Sequence, residues 1–230
     1  MHREGKPVRA VLLDLDGTLL DTAPDLIACA NQLLREQGLA EKRPGSYGHS
    51  PSLGSAGLLQ RAFHLPPGHP DMAPLHARFL RLYRQQISDR TRPFPGMLGV
   101  LDTLEARGIA WAVATNKPKD LSEPVLAAFD LLERADALLC GDQVQRPKPH
   151  PEMLLELCAM LGVTPAEAVM VGDAKRDITA GHAAGMRTLG CLFGYLCAED
   201  RPTRWGADGL LQEPLDLLRW LEHVERREAA

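Results

Sequence analysis

A short apolar run, Val8-Arg9-Ala10-Val11-Leu12-Leu13, ends at two aspartates two residues apart, Asp14 and Asp16, and a Gly17-Thr18 turn follows at once. In a strand, residues i and i+2 point to the same side, so both carboxylates can aim at one spot. That spot lies beyond the carboxyl end of the strand, where open α/β sheets bind ligands. Two carboxylates so close repel each other, and the arrangement needs a cation or a shared proton. A divalent metal facing a phosphate meets that need. The bland alternative is a strand that ends in a solvated polar turn.

Strand-like and helix-like stretches alternate along most of the chain. This predicts an α/β fold with a Rossmann-like parallel sheet and helices on both faces. The spacing predicts strands over 8–14, 109–115, 135–140, 168–172 and 186–192. Leu98, Leu101 and Leu104 recur at helical spacing and stop at Gly108, a plausible C-cap. Pro118 falls near the start of the next helix, where its missing N–H is harmless. A closing amphipathic helix is predicted from Pro214 to Val224 on Leu215, Leu217, Leu218 and Leu221.

Residues 21–92 break the alternation, with helical signals and no convincing strand. Leu26, Ile27, Ala30, Leu33 and Leu34 form one apolar stripe, and Leu75, Phe79, Leu82 and Tyr83 another. Stretches 41–54 and 64–70 are rich in Pro, Gly, Ser and His and read as loops. Pro93-Phe94-Pro95-Gly96 then leads back. The expected domains are a core of residues 1–20 and 93–230 and a helical insert of residues 21–92.

With 230 residues, 45% of them apolar, the chain can bury a core and carry such an insert. A formal charge of -4 points to no nucleic-acid partner, and no apolar run approaches a membrane span. Met1-His2-Arg3-Glu4-Gly5-Lys6 enters the first strand without a signal-peptide pattern. The five cysteines, Cys29, Cys140, Cys158, Cys191 and Cys197, contain no CxxC pair and read as reduced thiols. The expectation is a cytoplasmic protein, a monomer or homodimer, that acts on a small molecule and binds neither nucleic acid nor membrane.

Three further groups stand at predicted strand ends. Thr115-Asn116 offers a hydroxyl that can bind a phosphoryl oxygen. Lys148, in Arg146-Pro147-Lys148-Pro149-His150-Pro151-Glu152, lies in a backbone stiffened by proline, where a fixed ammonium can stabilise charge on a transferring group. Gly172-Asp173-Ala174-Lys175-Arg176-Asp177 follows an apolar strand and opens a helix. Asp173 supplies the hard oxygen ligand that Mg²⁺ prefers. Asp177 can bind metal through water, orient Lys148, or merely complement the helix dipole.

The string Asp14-Leu15-Asp16-Gly17-Thr18-Leu19-Leu20-Asp21-Thr22 resembles the first motif of the haloacid dehalogenase-like hydrolase superfamily, and the other groups match its pattern in order. The resemblance implies a C1-type cap formed by the insert. It also implies a phosphatase that works through an aspartyl-phosphate: Asp14 attacks phosphorus, and Asp16 acts as general acid and then base. Mg²⁺ would sit between Asp14, Asp173 and the backbone carbonyl of Asp16, with Asp177 behind. Gly17 and its neighbours' N–H groups, Thr115, Asn116 and Lys148 would bind the phosphate. A P-type ATPase carries DKTGT and a dehalogenase lacks the second aspartate, so both are disfavoured. A phosphonatase needs a cap lysine, and Lys42 is the only lysine in the insert. A phosphosugar mutase keeps both aspartates and stays open. A non-catalytic binding module is opposed by the intact Asp14, Asp16, Lys148 and Asp173.

Core, insert and Thr22-Ala23-Pro24-Asp25-Leu26 resemble the phosphoglycolate phosphatase group. The segment from Gly194-Tyr195 to Asp208 resembles a bacterial subgroup that includes N-acetylmuramic acid 6-phosphate phosphatases. The expected substrates are therefore 2-phosphoglycolate or N-acetylmuramic acid 6-phosphate. Read from its residues alone, that segment is a loop, a packed Trp and a last strand with no catalytic need. The subgroup implies an arginine near Ala56, in the loop Ser52-Leu53-Gly54-Ser55-Ala56-Gly57. The first one here is Arg61, which stands as the expected substrate-binding cation, with Arg43 as a second candidate.

Overall fold

The structure is a computed structural model that describes residues 6–48, 50–196 and 199–228. Met1 to Gly5 and Cys197 lie outside the described residues. Its centre is a six-stranded sheet in the order β5-β4-β1-β6-β7-β8, formed by β1 (Ala10–Leu13), β4 (Ala110–Thr115), β5 (Ala137–Cys140), β6 (Ala168–Gly172), β7 (Arg187–Cys191) and β8 (Gly209–Leu211). Every pairing in it is parallel. All four residues of β1 are buried, because β4 and β6 flank it on either side. A parallel sheet covered on both faces calls for such continuous apolar strands.

Alternation along the strands sorts the core into two layers. Val11, Leu13, Trp111, Val113, Val169 and Val171 face one way. Against them pack α4 (Met97–Ala106), α5 (Lys119–Ala127) and α9 (Asp216–Glu228). Ala10, Leu12, Ala112, Ala114 and Met170 face the other way, under α7 (Glu152–Met160) and α8 (Lys175–Ala184). The second layer is rich in alanine, which lets its helices lie close to the sheet. A short α6 (Leu131–Arg134) precedes β5.

Between β2 (Leu20–Asp21) and β3 (Arg92–Pro93) lie α1 (Ala23–Glu36), α2 (Gly54–Phe63) and α3 (Met72–Gln85). Leu26, Leu33, Leu58, Leu59, Phe79 and Leu82 form their separate apolar cluster. Truncating one such side chain to alanine costs about 2–5 kcal/mol. The buried Asp25 fastens the two ends of the insert together. Its carboxylate accepts the Thr91 N–H at 2.8 Å, the Thr91 hydroxyl at 2.7 Å and the Arg90 N–H at 2.9 Å.

Several expectations change in detail. The borders of the insert do contain strands, since β2 and β3 pair antiparallel as Leu20↔Pro93 and Asp21↔Arg92. Two residues are too few for alternation to show. Leu98 is 43% exposed, and the buried stripe of α4 is Met97, Val100, Leu101 and Leu104. That stripe follows the i, i+3, i+4, i+7 rule, from which Leu98 departs. The 41–54 loop contains two 3₁₀ turns, Pro44–Tyr47 and Ser50–Leu53, before α2 starts at Gly54. The closing helix begins at Asp216 and runs on to Glu228. Cys29, Cys140, Cys158 and Cys191 are free and buried. Among the described residues no helix is long and apolar enough to cross a membrane.

Candidate active site

The carboxyl ends of β1, β4 and β6 bring the acids and Lys148 together. Asp14 leaves β1 with its N–H still bonded to the Val171 carbonyl at 2.9 Å, so the sheet sets its direction. One carboxylate oxygen each from Asp14, Asp173 and Asp177 falls within 4.8 Å of the others, and all three residues are buried. Lys148 Nζ sits among them, 2.9 Å from Asp14 Oδ1 and 2.7 Å from Asp177 Oδ1. It also donates to the Ala114 carbonyl at 2.5 Å. Arg176, at the start of α8, places Nη2 3.8 Å from Asp14 Oδ2.

Were all three carboxylates ionised, they would leave one negative charge uncompensated by the two cations. Burial, and after it the charges of Asp14 and Asp177, pushes the Asp173 carboxyl up to about 8. Burial also raises Asp14, although Lys148 pulls it back. The ammonium of Lys148 is disfavoured by burial, but Asp14 and Asp177 outweigh this and hold its pKa above the usual value. Asp14 Oδ2 and Asp173 Oδ1 are buried without a hydrogen-bond donor. Orphaned carboxylate oxygens are costly, and a hard divalent cation is the ligand that satisfies them.

Glycine makes the close approach possible. Gly17 has φ +90°, and a Cβ there would stand 2.2 Å from Asp173 Oδ2. A Cβ on Gly194 would stand 2.3 Å from the Asp173 Cβ and 2.4 Å from the Gly17 carbonyl.

Asp16 goes elsewhere. Its side chain is not in the acid cluster, and Oδ1 accepts the Lys117 ammonium at 2.8 Å and the Thr22 hydroxyl at 2.5 Å. Lys117 also donates to the Tyr83 hydroxyl, on α3 of the insert, at 2.9 Å. Thr115 is buried, and its hydroxyl accepts the Lys117 N–H at 3.1 Å. Asn116 holds the lysine loop: Nδ2 donates to the Lys148 carbonyl at 2.8 Å and Oδ1 accepts the Lys148 N–H at 3.0 Å.

Above the acids lies a cavity of about 400 Å³. Asp14, Asp16, Thr115, Asn116 and Arg176 line it from the core, and Ser52, Ser55, His76 and Tyr83 line it from the insert. Arg61 is not brought there. It is exposed and absent from the cavity lining, and its Nε donates to the Ser46 carbonyl at 3.0 Å. Lys42 is equally distant in role, donating to the Arg61 carbonyl at 2.7 Å and meeting His64 at 2.9 Å.

Three contributors escaped the sequence reading. Arg176 joins core to insert through a 2.7 Å bond from Nη1 to the Ser52 carbonyl; its position between Asp173 and Asp177 was the available signal. Lys117 follows Thr115-Asn116 directly, yet its partner is Asp16, a hundred residues away. Tyr195 gives the 194–208 segment a structural role in the site after all. Its N–H donates to Asp173 Oδ2 at 2.8 Å, and its hydroxyl accepts the Ala23 N–H at 2.8 Å and donates to Asp21 at 3.0 Å. No local pattern announces such a contact.

A buried trio of acids with a lysine at its centre, set at the carboxyl edge of a parallel sheet, is a site whose carboxylates could hold a metal ion. The model of the haloacid dehalogenase-like hydrolases matches residues 11–191, and the chain belongs to that family. It is 38% identical over 217 residues to an N-acetylmuramic acid 6-phosphate phosphatase of Pseudomonas aeruginosa, covering 94% of this chain and 96% of that one. It is 39% identical over 217 residues to a phosphoglycolate phosphatase of Xanthomonas campestris, covering 91% and 94%. The crystal structure of a predicted phosphoglycolate phosphatase from Haemophilus somnus superposes with a TM-score of 0.82 at 27% identity, over 93% of this chain and 97% of that one. The protein is accordingly a phosphoric monoester hydrolase.

Proposed function

We propose that this phosphatase works by Mg²⁺-dependent phosphoryl transfer through Asp14. The observation that carries the reading is the buried Asp14, Asp173 and Asp177 cluster with two orphaned oxygens beneath the cavity. The side chains of Asp14 and Asp173 and the backbone carbonyl of Asp16 would hold the ion, with Asp177 behind them. When bound, Mg²⁺ offsets the repulsion between the carboxylates and the phosphate and orients the ester.

Asp14 attacks phosphorus in line, the P–O bond to the alcohol breaks, and an aspartyl-phosphate forms on Asp14. Asp16 gives its proton to the departing oxygen and then takes one from the water that hydrolyses the acyl phosphate. Its Oδ1 accepts from Lys117 and Thr22, which suits the second, basic stage. Lys148 neutralises Asp14 from behind, Asn116 fixes the lysine loop, and Thr115 and the N–H groups around Gly17 face the phosphate oxygens. Residues 21–92 act as a cap over the catalytic core of 1–20 and 93–230 and exclude water during transfer.

The substrates are small phosphate esters, with 2-phosphoglycolate and N-acetylmuramic acid 6-phosphate the two named by the relatives. Phosphate release from both, and from 4-nitrophenyl phosphate, tests the reading with and without Mg²⁺. Asp14→Asn should lower kcat by about 10⁴-fold. Turnover that survives either chelation or this substitution rejects it.

A further inference from the structure

The cavity over Asp14 has a far wall that phosphoryl transfer does not use. Ser55, in the first turn of α2, and His76, on α3, both line it, with Ser55 Oγ 2.7 Å from His76 Nε2. Apolar side chains also line the cavity, Leu26, Phe79 and Leu80 from the insert and Leu121 from α5. Both polar residues are half-buried. Burial pushes the His76 imidazole below its ordinary value, so the ring is neutral at neutral pH.

Charge is missing from this wall. Among the described residues no arginine or lysine of the insert lines the cavity. The cations that do line it come from the core and are engaged: Lys117 by Asp16 and Tyr83, and Arg176 by Asp14 and the Ser52 carbonyl. A carboxylate pressed against the wall would lose its water with no cation to replace it. A hydroxyl or amide finds both a donor and an acceptor in the serine–imidazole pair, while the carbon face of a ring can lie on the leucines and Phe79. The volume agrees. About 400 Å³ is several times what a two-carbon acid occupies and has room for a phosphorylated ring.

We infer that Ser55 and His76 form a subsite for an uncharged hydroxyl or amide on the leaving group, so that the substrate class is ring-sized polyol or amino-sugar phosphates rather than short phosphorylated acids. This rests on the phosphatase reading above. The specificity lies in the insert, and it is set by hydrogen bonding to a neutral group.

The experiment compares kcat/KM for N-acetylglucosamine 6-phosphate, an amino-sugar ester with no carboxylate, and for 2-phosphoglycolate, with 4-nitrophenyl phosphate alongside. The wild type should favour the amino sugar by about tenfold or more, the discrimination one well-placed hydrogen bond supplies. Ser55→Ala and His76→Ala should each shrink that ratio about tenfold through KM for the sugar, and His76→Gln, which keeps a hydrogen-bonding group, should restore much of it. His76→Lys should shift the ratio toward 2-phosphoglycolate. Equal or better use of 2-phosphoglycolate by the wild type overturns the subsite alone, as does an equal loss on both esters in every variant. No turnover of any ester above Asp14→Asn overturns the phosphatase reading and the subsite with it.

Discussion

The sheet edge and the insert that faces it follow opposite plans. The edge concentrates charge: Asp14, Asp173, Asp177, Lys148 and Arg176 crowd into one buried patch. The insert presents carbon and a neutral serine–histidine pair. Buried charges are tolerable only where their geometry is over-determined, and β1 and β6, paired along their length, supply that rigidity. The insert meets the core through Leu121 of α5, which is buried in the insert's apolar cluster, and through polar bonds from Arg176 to Ser52, Lys117 to Tyr83, Arg84 to Asp120 and Tyr195 to Ala23. On the proposed reading, the charged edge carries out the chemistry and the insert selects the leaving group.

The sharpest way to break the contrast within the core is Lys148→Met. Its ammonium is fully buried between Asp14 and Asp177, so removal should cost about 3 kcal/mol of unfolding free energy in urea and abolish most turnover. A loss typical of a surface lysine would show that the patch is solvated.

Next in size is the effect of pH on metal binding. The folded protein keeps the Asp173 proton up to about pH 8, whereas the ordinary value is 3.8. This group therefore favours the metal-free fold most at pH below its unfolded value, and that contribution is lost as pH rises through 8. A cation must displace the proton, so Mg²⁺ affinity should rise about tenfold per pH unit up to about 8 and then level off. Calorimetric titration from pH 6 to 9 checks it, and a flat profile refutes it.

Smaller again is the tether. Tyr195→Phe retains the ring and the N–H to Asp173 but strands the Ala23 N–H, so thermal unfolding should report a loss of about 1 kcal/mol. At the bottom of the scale stands Arg61→Ala. Its bond to the Ser46 carbonyl is exposed, so stability should stay within about 0.5 kcal/mol and kcat/KM should not change. A large rise in KM would return Arg61 to the cavity.

The legible parts of the site are those written along one element. Asp14 follows an apolar strand and Asp173 follows another, so both could be placed at strand ends before any contact was known, whereas Lys148, marked by its flanking prolines, lies in a loop well past the end of β5. The parallel sheet with helices on both faces follows from the alternation of elements, whereas the strand order was not legible in any local pattern. The two-residue strands β2 and β3 were hidden by their brevity. Leu98 misled because three leucines at three-residue spacing drift around a helix.

Sequence alone placed the acids on single strands and turns, and its resemblance to a known family implied the chemistry they carry. Tertiary structure alone decided which of them meet and what faces them. It sent Asp16 to Lys117 and Asp14 to Lys148, hung Asp173 on the Tyr195 N–H, turned Arg61 away and Ser55 and His76 inward. Spacing encodes direction within one element, whereas a contact between elements depends on how their faces pack, and no local pattern carries that information.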